Sequence, residues 1–168
     1  LMNLAIQKNL ILIVGHVFIY HPAIIKLKEI MNSGELGEIK YIHSIRVAPG
    51  PVRNIDEINA LWDLAPHDIS IFHYLLGKEQ KVIKAFASNF LRPSIIDSAS
   101  FSLKYKDTFA EAHVRWLDAE KIRRITVIGS KKIAVFDDLS QYKLKIFNLS
   151  VNFDKKPSII DRGNFIPN

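Results

Sequence analysis

Two side chains that can exchange protons, Asp63 and His67, lie four residues apart near the middle of this sequence. Residues at this spacing lie on one face of a helix, one turn apart. Histidine is the side chain that most readily gains or loses a proton near neutral pH. The peptide dipoles at a helix start disfavour a positive imidazolium. We therefore expect a neutral His67 that can accept a proton, with Asp63 opposing that trend where it lies close.

The same pair also has a purely structural interpretation. Asp63 is a good N-cap for a helix over residues 63–76, because its carboxylate can accept hydrogen bonds from the first backbone N–H groups. Pro66 suits the first turn of that helix, and Gly77 suits its end. His67 would then be an ordinary hydrogen-bonded helix histidine. The spacing alone leaves both interpretations open.

Composition and motifs exclude several kinds of active site. The chain has no cysteine, which excludes disulfides, thiolate zinc sites, iron–sulfur clusters and cysteine nucleophiles. The six histidines have no tight metal-ligand spacing, so we expect no metal site. No Gly-x-Gly-x-x-Gly or Walker loop is present, and neither Ser33 nor Ser130 lies in a nucleophile elbow. The chain therefore carries no recognisable cofactor-binding loop of its own.

The elements that must position the pair alternate between helical and strand patterns. A helix over 21–32 has Pro22 in its first turn and ends at Ser33-Gly34. A strand over 39–47 follows, and a long loop over 48–61 leads to the helix that carries His67. Alternation of apolar and polar residues predicts further strands. They cover residues 82–89, 97–105, 109–117, 122–128, 132–137 and 142–147, with Lys106-Asp107 as the turn of a hairpin.

This pattern predicts an α+β domain, a mostly antiparallel open sheet of about six strands with helices on one face. At the N-terminus, Leu1–Lys8 has the apolar spacing of the end of a helix. Leu10–Val14 is continuously apolar, as in a strand buried on both faces of a parallel sheet. We interpret this helix and strand as the remnant of a preceding domain.

Charge is unevenly distributed along the chain. Its net charge of +6 divides into −1 for residues 1–77 and +7 for residues 78–168. A basic half can bind nucleic acid, acidic lipid or a phosphorylated ligand, but no regularly spaced stacking aromatics accompany the lysines. The longest apolar run, residues 10–14, is far shorter than the roughly 20 residues of a membrane helix. We expect a cytoplasmic protein with no nucleic-acid partner and no membrane partner.

Several segments resemble the glucose–fructose oxidoreductase/inositol dehydrogenase (Gfo/Idh/MocA) family. The similarity is to its nucleotide-sugar and UDP-N-acetylglucosamine 3-dehydrogenase-like members and extends to about residue 150. The segment that contains Asp63 and His67 is its most specific part. The matching stretches are Val14–Ala23 (VGHVFIYHPA), Ser33–Glu38 (SGELGE), Leu61–Ser70 (LWDLAPHDIS), Tyr74–Gly77 (YLLG) and Val127–Val135 (VIGSKKIAV).

The resemblance implies two domains, a Rossmann domain that binds NAD or NADP and a substrate domain. Residues 1–18 would be the end of the dinucleotide-binding domain, and residues 19–168 the substrate-binding and dimerisation domain. A lysine in a Glu-Lys-Pro motif upstream of residue 1 would complete the catalytic set with Asp63 and His67. His67 would take the hydroxyl proton of a sugar or nucleotide sugar while a hydride passes to the nicotinamide. Asp63 would orient His67 or bind a neighbouring hydroxyl.

Further contacts follow from the same resemblance, each with a structural alternative. The strand and loop that lead to the site carry the candidate substrate-binding residues Arg46, Arg53 and Asn59. Tyr20 and His21 fall at the expected domain junction and are the candidate cofactor-binding residues, although they could simply pack at a helix start. The arginine that the family usually has before His-Pro is Ile19 here.

The open face of the sheet is the candidate subunit interface. Glu111, His113 and Arg115 form the polar side of one strand, and the resemblance implies a homo-oligomer through this face, with solvent exposure as the alternative. The absence of a Gly-rich loop and of the catalytic lysine leaves a second function open. This chain would then be a non-catalytic module that binds sugar or dimerises.

Overall fold

A computed structural model describes residues 1–50, 58–77 and 80–149. Within those residues the chain forms three α-helices, a short 3₁₀ helix over Val17–Tyr20 and seven strands. The helices are α1 (Met2–Lys8), α2 (Pro22–Asn32) and α3 (Ala60–Leu76). The strands are β1 (Ile39–Pro49), β2 (Lys81–Ser88), β3 (Ser98–Tyr105), β4 (Thr108–Arg115), β5 (Leu117–Gly129), β6 (Ile133–Asp137) and β7 (Leu144–Phe147).

The seven strands form one open mixed sheet in the order β2-β3-β4-β1-β5-β6-β7. Strand β1 lies at its centre, parallel to β4 and antiparallel to β5, and every other neighbouring pair is antiparallel. The β3–β4 hairpin turns at Lys106-Asp107, because Tyr105 pairs with Thr108. The predicted α+β class with a mostly antiparallel open sheet is confirmed.

One face of the sheet is covered by helices and the other is open. Along β1, Ile42, Ser44 and Arg46 are buried, whereas His43 and Ile45 between them are only partly buried. Helices α2 and α3 pack on the buried face, where their residues join alternate residues of the strands in a single core. The core includes Ile24, Leu27, Ile71 and Phe72 of the helices and Ile42, Val114, Ile125 and Phe136 of the sheet.

The predicted strand over Leu10–Val14 is wrong, although the predicted helix before it is present as α1. Residues 10–14 have no regular secondary structure, and Ile11 is 88% exposed. A strand requires a neighbour for its backbone N–H and C=O groups, and none of the described strands lies beside this segment. Its apolar side chains are therefore left facing solvent.

The turn between α2 and β1 packs tightly against the end of β5. Leu36 is fully buried, and its carbonyl accepts a hydrogen bond of 2.9 Å from the backbone N–H of Lys131. Gly129 lies so close that a Cβ atom there would be 2.1 Å from the Leu36 carbonyl oxygen. This contact between Leu36 and Gly129 requires glycine at position 129.

The helices of the described residues include none with both the length and the apolar character needed to cross a bilayer.

Candidate functional site

The site lies at the start of α3, and the sequence places that start three residues too late. The helix begins at Ala60, where the Asn59 side-chain oxygen accepts a hydrogen bond of 3.0 Å from the backbone N–H of Trp62. Asn59 is therefore the N-cap, and the predicted capping role of Asp63 is wrong. Asp63 lies within the first turn, where a carboxylate still interacts favourably with the helix dipole.

The position of Pro66 is a second correction at this helix. It lies inside α3, after the first turn. Proline has no N–H, so the backbone carbonyl of Trp62 has no i+4 donor within the helix. The helix nevertheless continues to Leu76 because its apolar side is buried at Ala65, Ile71 and Phe72.

Asp63 faces inward from the first turn and contacts the sheet. Its Oδ2 accepts a hydrogen bond of 3.2 Å from the indole Nε1 of Trp116, which follows β4. Trp116 is 1% exposed. The carboxylate of Asp63 is thus held by a donor from the core.

His67 is one turn further along α3, in a half-buried position beside the 3₁₀ helix. Its ring meets the Phe18 ring edge to face, with 5.3 Å between centroids. Its Nδ1 is buried, and the described residues provide this atom with no hydrogen-bond partner.

The surroundings of His67 favour its neutral form. Burial lowers the pKa of His67 below its ordinary value, and the nearby charge of Arg46 lowers it further, with a smaller contribution from His16. The carboxylates of Asp68 and Asp63 oppose this by raising the pKa. The net pKa is lowered, as the position near a helix start predicts, although burial is the largest cause.

Beneath His67 lies a buried charged group that the sequence analysis did not single out. Asp68 is fully buried and accepts hydrogen bonds from the Ser44 hydroxyl at 2.7 Å and from the Arg46 Nε at 3.0 and 3.1 Å. Its position on the apolar side of α3, between Ala65 and Ile71, was the available signal. A buried carboxylate needs such partners, so α3 is fixed to β1 next to the site.

Arg46 occupies a different place from the one expected of a substrate ligand. Its side chain is 4% exposed, its Nε faces Asp68, and its guanidinium lies over the Phe18 ring at 4.4 Å from the centroid. The structure therefore brings Arg46 to the site as the partner of Asp68. A direct contact between Arg46 and substrate stays a prediction.

The remaining predicted site residues are spread around this group. Asn59 is adjacent to the site, with its side-chain oxygen engaged in capping α3, and Arg53 lies outside the described residues. Tyr20 is 74% exposed at the end of the 3₁₀ helix. His21 caps α2 through Nδ1, which accepts from the backbone N–H of Ala23 at 3.1 Å, and its ring packs on Phe136. The rings of His21 and Phe136 pack together where α2 meets β6.

Metal chemistry finds no support in the part of the chain that the structure describes. Across residues 1–50, 58–77 and 80–149, no three histidine, aspartate or glutamate side chains converge on a point that could hold a metal ion.

We expect acidification below pH 6.5 to destabilise the chain. Burial lowers the pKa of His43, His67 and His113. The unfolded chain, whose histidines have pKa values near 6.5, therefore binds more protons than the folded chain as the pH falls below that value, and folding loses stability. Urea unfolding at pH 7.5, 6.5 and 5.5 measures this loss. His67→Gln should remove part of it, and an equal loss with and without His67 would contradict this contribution.

Comparison with known proteins shows which proteins the chain is similar to. Residues 24–135 match the family model described as the GFO/IDH/MocA C-terminal domain. The chain is 25% identical over 140 residues to UDP-N-acetylglucosamine 3-dehydrogenase of Acidithiobacillus ferrooxidans, covering 83% of this chain and 43% of that protein. It is 27% identical over 73 residues to inositol 2-dehydrogenase of Salmonella typhimurium, covering 44% of this chain and 22% of that protein.

Solved structures agree with this match. A structure of UDP-N-acetylglucosamine 3-dehydrogenase from Acidithiobacillus ferrooxidans has a TM-score of 0.71 and 26% identity, covering 88% of this chain and 46% of that one. The WlbA dehydrogenase from Bordetella pertussis, solved with NADH and UDP-GlcNAcA, has a TM-score of 0.72 at 14% identity, covering 88% and 50%, and is a likeness of fold alone. The chain spans less than half the length of the curated relatives it matches.

Proposed function

Because the chain belongs to the Gfo/Idh/MocA family through its C-terminal domain, we propose that it is the substrate domain of an NAD(P)-dependent oxidoreductase. The substrate is a sugar or nucleotide sugar, and the reaction oxidises one of its hydroxyl groups or, in reverse, reduces the ketone. The observation that carries this proposal is the pair on the first turns of α3, a half-buried His67 with a lowered pKa one turn from Asp63.

In the oxidative direction His67 acts as the general base. The hydroxyl proton of the sugar passes to the neutral imidazole as the hydroxyl oxygen forms a carbonyl with its carbon. Burial and the Arg46 charge keep His67 unprotonated and ready to accept it. The Asp63 carboxylate is held on the same side of the helix, where it orients the substrate or stabilises the imidazolium that forms. A bound NAD⁺ or NADP⁺ would supply the acceptor for the hydride of the same carbon.

The residues of this site fit the nicotinamide end of the cofactor. They supply a proton acceptor in His67 and an exposed aromatic ring in Tyr20, on the 3₁₀ helix whose Phe18 contacts His67. Binding of the dinucleotide phosphates requires a Gly-rich loop at a helix N-terminus, and the sequence contains no such motif. We therefore place the phosphate-binding part of the cofactor site, and the catalytic lysine, in a preceding Rossmann domain, of which residues 1–18 are the end.

The second candidate function is that of a non-catalytic module, favoured by the absence of a Gly-rich loop from these 168 residues. The two functions make different predictions for turnover once the chain is joined to a preceding domain. We expect this chain alone to show no saturable binding of NADH at micromolar concentration, because most of the cofactor site lies elsewhere. NADH fluorescence titration tests this expectation, and saturable micromolar binding would contradict our placement of the cofactor site. The same chain joined to a preceding Rossmann domain should bind NADH and should oxidise a sugar substrate when NAD⁺ or NADP⁺ is supplied, whereas the module should not turn over in either form.

We further propose that the open sheet face joins two copies of the chain. Its central strands present the partly buried Tyr41 beside Phe109, and Ile45 beside His113. The Tyr41 hydroxyl donates to the Glu111 carboxylate at 2.5 Å, so the polar groups of this face are partly paired already. Such a mixture of apolar and paired polar side chains suits burial against a second sheet.

Ile45→Glu should convert the oligomer to a monomer, because a carboxylate would be buried at the interface without a partner. Light scattering after size exclusion measures the mass. Ile25→Glu on α2, where Ile25 is 38% exposed, is the matched control and should keep the oligomer. A monomeric unsubstituted chain at micromolar concentration would contradict the interface.

A further inference from the structure

The buried residue Trp116 is fixed from both sides by the backbone. It follows β4, at the bend between β4 and β5, and is 1% exposed. Its backbone N–H donates to the Asp97 carbonyl at 2.9 Å, and its carbonyl accepts from the Gly50 N–H at 2.6 Å. The bend therefore holds the indole in one position.

The start of α3 is tied to the same segment of the chain. The backbone N–H of Ala60, the first residue of α3, donates to the carbonyl of Ile96 at 2.8 Å. Ile96 is next to Asp97, which accepts from Trp116. The adjacent carbonyls of Ile96 and Asp97 thus fix the start of α3, which carries Asp63, and the bend that carries Trp116. The 3.2 Å hydrogen bond from the indole to Asp63 joins the bend to the helix.

We propose that Trp116 is a positioning residue for the proton-transfer pair, in that its indole N–H fixes the Asp63 carboxylate relative to His67. This inference rests on the function proposed above. A carboxylate on the first turn of a helix has several rotamers available, and a buried indole donor selects the one that faces the core. The charge of Asp63 then acts on His67 from a fixed direction.

A purely space-filling role for Trp116 makes different predictions. Burial alone would require only a large aromatic ring, which phenylalanine partly supplies. The N–H would then matter to stability, because a buried indole donor needs a partner, but its loss would leave His67 unchanged. Comparison of the two tryptophans of the chain separates these roles, because Trp62 lies on the same helix turn as Asp63 and is 71% exposed.

The first experiment uses the 168-residue chain and nuclear magnetic resonance. Its two tryptophans give two indole N–H signals. Asp63→Asn should shift the signal of Trp116 and leave that of Trp62 in place. Trp116→Phe should change the measured pKa of the His67 ring, whereas Trp62→Phe should not. An unmoved Trp116 signal in Asp63→Asn, or equal His67 pKa values in both tryptophan variants, would overturn the proposal. If Trp116→Phe does not fold, Asp63→Asn still tests the contact between the indole and the carboxylate, and an unmoved Trp116 signal overturns the proposal.

The second experiment uses the complete protein, in which the chain follows its Rossmann domain. Trp116→Phe should lower kcat/KM by about tenfold or more, the effect of losing one hydrogen bond to a charged group, while Trp62→Phe stays within about twofold of the unsubstituted enzyme. Asp63→Asn should lower kcat/KM by a smaller factor in the Trp116→Phe enzyme than in the unsubstituted enzyme, because Asp63 and Trp116 act as one unit. Additive effects, or a Trp116→Phe enzyme as active as the Trp62→Phe control, would contradict positioning. Absence of turnover in the unsubstituted protein would instead contradict the proposed function, and the resonance experiment would still decide the role of Trp116.

Discussion

His67→Ala should lower kcat of the proposed oxidoreductase by about a hundredfold to ten-thousandfold, the usual contribution of a positioned general acid or base. In the function that we propose, the imidazole is the neutral proton acceptor, since burial lowers its pKa, and alanine cannot replace it. KM should change much less if His67 acts on the proton rather than on substrate binding. Steady-state rates with NAD(P) and the sugar substrate measure the effect.

His73→Gln provides the control for this prediction. His73 belongs to the same helix but contacts the Tyr105 ring, away from Phe18 and Arg46. The control should keep kcat near that of the unsubstituted enzyme. The unsubstituted enzyme should also lose activity in the oxidative direction as the pH falls through the lowered pKa of His67, because the base becomes protonated. A His67→Ala enzyme with near-normal kcat would show that another group moves the proton.

Gly129→Ala should destabilise the fold by about 3 kcal/mol, at the upper end of the usual range for overpacking. The added Cβ would lie 2.1 Å from the carbonyl oxygen of Leu36 and 2.9 Å from its Cβ. Leu36 cannot easily move, because it is fully buried and its carbonyl is bonded to the Lys131 N–H. Thermal unfolding should show a Tm lower by about 6–12 °C.

Gly15→Ala is the matched control for that substitution. A Cβ at Gly15 would meet no atom within 4 Å, so the same chemical change should leave the Tm nearly unchanged. Equal Tm values for the two variants would mean that the turn before β1 adjusts at no cost, contrary to the close packing of Leu36 on Gly129.

The sequence predicts the sheet well because most of its strands have one buried face. Alternating apolar residues locate β3 and β4, and the two-residue Lys106-Asp107 turn joins them as expected. The predicted strand at Leu10–Val14 is wrong because the pattern there shows no distinction between a buried and an exposed face. Its continuous apolar run carries no information on a neighbour, and whether such a run becomes a strand depends on the partner strands available to it.

The candidate site was predictable in its residue types but not in its contacts. Spacing places Asp63 and His67 on one face of a helix, and this relation survives the shift of the helix start to Ala60. The donor to Asp63 comes from Trp116, far along the chain, and no local pattern links the two. The ion pair of Arg46 was missed for the same reason. Its partner Asp68 lies on α3, and the alternation of residues along β1 carries no information on that helix.

The central position of β1 also determines the order in which the sheet can be completed. Strand β1 is bordered by β4 on one side and β5 on the other, and both are synthesised after α3, β2 and β3. At roughly 5–20 residues per second, β1 spends several seconds without either neighbour as the chain is made. The local β3–β4 hairpin can form early, whereas β1 must close long loops to reach its partners, which is the slow step in such topologies. During that interval the sheet that buries Arg46 is incomplete, so we expect its ion pair with Asp68 to form only when β4 and β5 have joined β1.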